Sequence, residues 1–149
     1  MSGIKMLAGT INGAVAMMAV SFLIWSVLLA DYFSAQMPGV EALDPQNLLF
    51  QILAASVHAL LVTIFLHRKE ASSLGACMKD AALLGALMWL GVNLWNMGSY
   101  GMWTMQGAMA DALLSSIPFG AGGGAIFWTT MRGELQSGRA GESDTGDSA

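Results

Sequence analysis

GVNLWNMGSYGMW, Gly91 to Trp103, decides how this chain folds. It lies within Ala81 to Met131, a stretch that carries one charged residue, Asp111. A hydrocarbon core of about 30 Å takes roughly 20 helical residues. The stretch is too long for one crossing, so the chain must turn inside it. Gly98-Ser99-Tyr100-Gly101 is the best place, because its glycines permit turn geometry and Tyr100 and Trp103 suit a membrane–water interface.

The rest of the sequence agrees with that turn. Charged residues make up 11% of the 149 residues and hydrophobic residues 55%, and mean hydropathy is +0.58. A soluble domain carries about a quarter charged residues. Uncharged runs cover Met6 to Ala30, Gln46 to Leu66, Ala81 to Ala110 and Ala112 to Met131. We therefore expect an all-α integral membrane four-helix bundle with short connecting loops and spans near 7–30, 47–67, 78–97 and 106–130. Residues 1–132 form that domain.

All six basic residues, Lys5, Arg68, Lys69, Lys79, Arg132 and Arg139, then fall on one side of the bilayer, and the opposite loops hold none. The positive-inside rule places both termini in the cytoplasm of a bacterial inner membrane. Lys5 before an apolar run also describes a secretory leader, but the run exceeds a leader core of about 7–15 residues, so no cleavage is expected.

Connections and ends follow from local chemistry. Pro38-Gly39 marks a turn, and Asp44-Pro45 is a helix cap followed by proline at the first helical position. The short link HRKEASSLG makes the second and third spans antiparallel neighbours. Asp80 is expected to favour the N-terminus of the third span. Residues 133–149, GELQSGRAGESDTGDSA, are acidic and poor in apolar residues, the composition of a disordered cytoplasmic tail.

Asn93 and Asn96 raise the question of function, since amides in hydrocarbon need partners. Trp89, Asn93, Asn96 and Tyr100 share one helical face. Depth counting places Gln51, Asn93, Asn96 and Asp111 in one outer-leaflet layer, with His58 about 10 Å deeper. An intramembrane ionisable residue normally faces the bundle interior. The layer is either interhelical glue, worth about 0.6–2 kcal/mol per contact, or a vestibule with His58 as proton acceptor. Glue is the better account, because the cytoplasmic half offers only Thr10, Asn12 and Thr63 to continue a polar path.

Ala108, Ala112, Ser116, Gly120 and Gly124 recur every fourth residue in the last span, a ladder that lets a helix approach closely. The partner is either the first span, through Gly9 and Gly13, or a second copy. Pro118 inside the ladder is expected to kink the helix and free the Leu114 carbonyl for Ser115 or Ser116. Trp25, Trp95 and Trp103 sit near the outer boundary, Trp128 near the inner one, and Trp89 deeper.

The chemistry of cofactors finds little footing. His58 and His67 are nine residues apart and out of phase, so one haem cannot use both within a chain. The methionines are scattered, which suits packing better than copper. Cys77 is the only cysteine, so there is no internal disulfide and no thiolate metal site. No phosphate loop, nucleophile elbow or zinc-helix spacing appears. No enzyme activity, cofactor, metal or nucleic-acid partner is expected.

FLIWSVLLADYF (22–33), GALMWLGVNLW (85–95) and MADALLSSIPFGAGGGAIFW (109–128) resemble the small bacterial four-span proteins of the domain of unknown function family seventeen-sixty-one. Trp25-Ser26 stands where that family usually has tryptophan-tyrosine. The resemblance implies the four-span architecture and supplies no catalytic residue. The reading as a whole is a structural or accessory membrane subunit that associates with itself or a larger membrane complex through small-residue faces; the alternative is a small-solute or proton conduit.

Overall fold

The computed structural model describes residues 3–37, 48–71 and 73–132. Among these residues the regular structure is entirely helical. The helices are α1 (Gly3–Ser21), continued by a π-helical segment Phe22–Leu28, then α2 (Ala30–Gln36), α3 (Leu48–Arg68), α4 (Leu74–Tyr100) and α5 (Met105–Thr130). The Pro38-Gly39 turn, the start of the second span at Pro45 and the tail 133–149 lie outside the described residues.

Three helical stretches are long and apolar enough to cross a membrane: Gly3–Leu28, Leu48–Arg68 and Leu74–Tyr100. Helix α5 has the length, with 26 residues. Its glycines, serines and Asp111 lower its apolarity, and the fold explains why that is tolerated. Much of α5 is buried among the other helices, so it shows lipid little surface. The others carry exposed side chains such as Phe50 (67%) and Leu87 (60%), a surface that suits hydrocarbon better than water.

Helix α5 is central, with α4 packed along one side and α1 along another. Glycine makes both approaches close. A Cβ at Gly123 would meet the Cys77 carbonyl oxygen at 2.7 Å and Ala81 Cβ at 2.6 Å; one at Gly122 would meet the Met17 Cε at 2.4 Å. Gly120 and Gly124 lie against Met78, Ala82 and Leu74 of α4. The lower ladder therefore serves α4. Gly9 and Gly13 of α1 receive Ile126 and Thr130 of α5, and face Ala59 and Thr63 of α3.

Several expectations change. The first span ends in a π turn, and part of the outer loop, Ala30–Gln36, is itself a helix with Asp31 in its first turn. Helix α4 begins at Leu74, earlier than expected, because Ser73 accepts a hydrogen bond from the Ala76 N–H at 3.2 Å. Asp80 consequently lies beyond the first turn and takes Lys69 Nζ at 2.6 Å. The far end runs through Gly98 to Tyr100, and only Gly101 turns, in the left-handed region at φ 63°.

Helix α3 packs chiefly on α1, not α4, despite the short link. That link turns on Glu70, at φ 53°. The Ala71 N–H reaches the Leu66 carbonyl at 3.3 Å and the Glu70 N–H reaches that of His67 at 3.3 Å, a Schellman closure. Near Pro118, Ser115 and Ser116 do not take the Leu114 carbonyl. Their hydroxyls donate to the Asp111 and Leu113 carbonyls, at 2.8 and 2.6 Å.

Gly123→Ala should destabilise the protein by about 1–3 kcal/mol, since a backbone oxygen must move. Gly91→Ala, with nothing within 4 Å of its Cβ, should be neutral or stabilise by up to about 1 kcal/mol. Reversible denaturation in detergent micelles checks the contrast.

Candidate functional site

Asp111 sits one and a half turns into α5 and is 6% exposed. A carboxylate at that depth needs donors, and two other helical segments bring them. The Asn93 side-chain amide of α4 donates to Asp111 Oδ2 at 2.7 Å and to the Ala108 carbonyl at 3.2 Å. The Trp25 indole N–H donates to Asp111 Oδ1 at 2.7 Å. Each carboxyl oxygen accepts one N–H.

The π segment is what presents Trp25. Its widened turn closes with the Leu29 N–H on the Ile24 carbonyl at 2.9 Å, an i to i−5 bond. Helix α2 then caps the cluster. Phe33, 3% exposed, lies between the rings of Trp25 (6.0 Å) and Trp103 (6.1 Å). The Thr104 N–H bonds the Gln36 carbonyl at 3.1 Å, and the Thr104 hydroxyl bonds Gln36 Oε1. A Cβ at Gly107 would meet Gln36 Cβ at 2.6 Å, so glycine allows the cap to seat.

The predicted layer therefore divides. Asn93 and Asp111 meet. Gln51 is exposed on α3, and Asn96 is half-buried with no side-chain hydrogen bond among the described residues. His58 is half-buried against two rings, Trp89 at 5.9 Å and Phe119 at 5.5 Å between centroids. Along the predicted stripe, Asn93 is buried, Trp89 and Asn96 are half-buried, and Tyr100 is 70% exposed. Of the ladder, Ala112 is buried beside the cluster residue, Gly120 and Gly124 are buried against α4, and Ser116 is half-buried.

Trp25 is the residue that sequence reasoning misses, because a tryptophan near the end of a span suits the aromatic belt equally well. Its depth matched that of Asp111, and an indole N–H near a buried carboxylate was the available signal. The rotation that aims it comes from the π turn, which no local pattern announces.

The arrangement binds helices together but offers little reactivity. No thiol, hydroxyl or second carboxylate bonds the Asp111 carboxyl group among the described residues; the Ser115 hydroxyl takes its backbone carbonyl instead. Nor do three or more His, Cys, Asp or Glu side chains gather into a metal site there. The deeper polar residues close locally: Thr10 on the Met6 carbonyl, Thr63 on that of Ala59, and Asn12 on Thr129 across α1 and α5. No protein-family model, curated protein or solved structure matches the chain.

Trp25→Phe and Asn93→Leu should each cost about 1–2 kcal/mol by stranding one carboxylate oxygen. Because both act on one group, the double variant should lose less or more than the sum by at least about 0.5 kcal/mol. A double-mutant cycle of unfolding free energies in micelles measures that coupling.

Proposed function

We propose that this chain is a four-span protein of the bacterial inner membrane, with both ends in the cytoplasm, that serves as a non-catalytic structural or accessory subunit. The observation carrying this reading is the closure of Asp111 by Trp25 and Asn93. Three helical segments converge on one carboxyl group, and each of its oxygens is engaged by an N–H from another segment.

Other observations support the same reading. Helix α5 has the length for a fourth crossing, and burial among the other helices shields its polar and small residues. Lys5, Arg68, Lys69, Lys79 and Arg132 belong to the end where α1 and α4 begin and α3 and α5 finish, as the positive-inside rule requires of a cytoplasmic face. The likeness to domain of unknown function family seventeen-sixty-one belongs to this proposal and contributes the architecture.

The small-residue faces expected to join subunits are engaged within the chain, at Gly9, Gly13, Gly120, Gly122, Gly123 and Gly124. Association with a second copy or with a larger membrane complex must then use larger lipid-facing side chains. A conduit through Asn93, Asn96, Asp111 and His58 is the weaker alternative. His58 faces aromatic rings and the carboxylate is closed.

Asp111→Asn separates the two. It turns an amide donor toward Trp25 or Asn93, so it should lower thermal stability and disturb assembly. Proteoliposomes of the wild-type protein should release protons no faster than protein-free liposomes. Wild-type flux abolished by Asp111→Asn, with melting unchanged, would instead establish a conduit. Topology is tested separately: Gly133→Cys in intact cells should resist a membrane-impermeant thiol reagent and react after lysis.

A further inference from the structure

His58 is a polar side chain that the Asp111 cluster does not use. It lies in the middle of α3, half-buried, with aromatic rings on two sides and no hydrogen bond of its own among the described residues. An imidazole at that depth needs an acceptor for its N–H, and a ring edge or face is a poor one.

The burial pattern of α3 implies a cleft beside His58. None of the α3 residues from Leu48 to His58 is buried, whereas Ala59, Val62, Thr63 and Leu66 are. The outer half of α3 thus stands off from the bundle, while the inner half packs on α1. Its meeting with α4 at mid-depth is the His58–Trp89 ring contact. Phe119, whose position requires Gly85 because a Cβ there would lie 2.3 Å from its Cγ, forms the floor.

Helical phase continues the lining outward. Gln51 precedes His58 by seven residues and Asn96 follows Trp89 by seven, each two turns toward the outer end and on nearly the same side of its helix. Two turns are about 10 Å. The cleft therefore has an aromatic apex with one imidazole and amides on both walls near its mouth. Neither helix places a charged residue between these positions.

We propose that this α3–α4 cleft binds a lipid-soluble quinone, with His58 donating a hydrogen bond to a ring carbonyl and the half-buried Trp89 packing on the conjugated ring. The chemistry selects that class. An occupant arriving from the bilayer must be uncharged, must bring a strong acceptor to mid-depth, and must offer a flat unsaturated face to the rings. Phospholipids keep their carbonyls and charges nearer the surface. The proposal is for binding and entails no redox step. It rests on the membrane-spanning reading above, but not on the accessory role.

The test uses full-length protein in phospholipid nanodiscs, titrated with decylubiquinone and followed by tryptophan quenching. Wild type should saturate. His58→Gln, which keeps a donor, should bind within about threefold of wild type, and His58→Leu should bind about tenfold or more weakly. Trp89→Phe, which keeps an aromatic ring but shortens the packing face, should weaken binding about two- to threefold and lose a large part of the quenching. Helical circular dichroism matched to wild type qualifies each variant. Affinity unchanged in His58→Leu, or quenching that rises without saturating in wild type, overturns the assignment. So does a wild-type dimer that His58→Leu splits, because the cleft would then be covered by a second copy. Failure of the Gly133→Cys labelling would refute the topology and leave the quinone titration to be judged on its own.

Discussion

A carboxyl group buried among helices is the constraint around which the half of this molecule nearest Gly101 is arranged. Asp111 can be buried only if N–H donors reach both oxygens, and its own helix has none to spare. Asn93 comes from α4 and Trp25 from the π extension of α1. Satisfying one side chain therefore fixes the register of two helical segments on α5. Lipid cannot replace those bonds, so a slip of either segment by one residue would leave a polar atom stranded. The aromatic cap of Phe33 and Trp103 lies over this point and encloses the cluster from the outer end.

The inner half is held differently. Where no carboxylate sets the register, bare backbone does. Gly123 against the Cys77 carbonyl and Gly122 against Met17 bring α5 close to α4 and α1, so dispersion contacts accumulate along both seams. Thr10, Thr63 and Thr130 return their hydroxyls to carbonyls one turn earlier and need no partner on another helix. One end thus relies on directed hydrogen bonds and the other on close approach.

Much of this was legible in the sequence. Charge-free runs located the long helices, and Gly101 marked the reversal between the third and fourth. Asn93 and Asp111 were paired by depth alone, since 1.5 Å per residue is reliable along a straight helix. Depth, however, is one coordinate of three. Gln51 and Asn96 share the level of Asp111 but point elsewhere, because the angle at which α3 stands off from the bundle depends on packing with α1. Trp25 escaped for the related reason that a π turn rotates everything beyond it. The small-residue ladder was visible, yet its partner was not, since glycine shows that something comes close without showing what.

The hydropathy of α5 carries a further consequence. A helix surrounded by its neighbours has no need to match lipid, and the one long helix that is not apolar enough to be a candidate span by itself is also the most buried one. Its freedom from that requirement is what admits Asp111, five glycines and two serines to a single helix. The other helices then carry the burden of facing hydrocarbon, and any polar residue they hold must point inward or toward a bound molecule. Asn93 obeys the first condition. His58 turns its ring to Trp89 and Phe119, neither of which supplies an acceptor oxygen, so it meets the second condition or none. The same physical rule that explains the cluster as structure therefore singles out the α3–α4 cleft as the place where structure alone is an incomplete account.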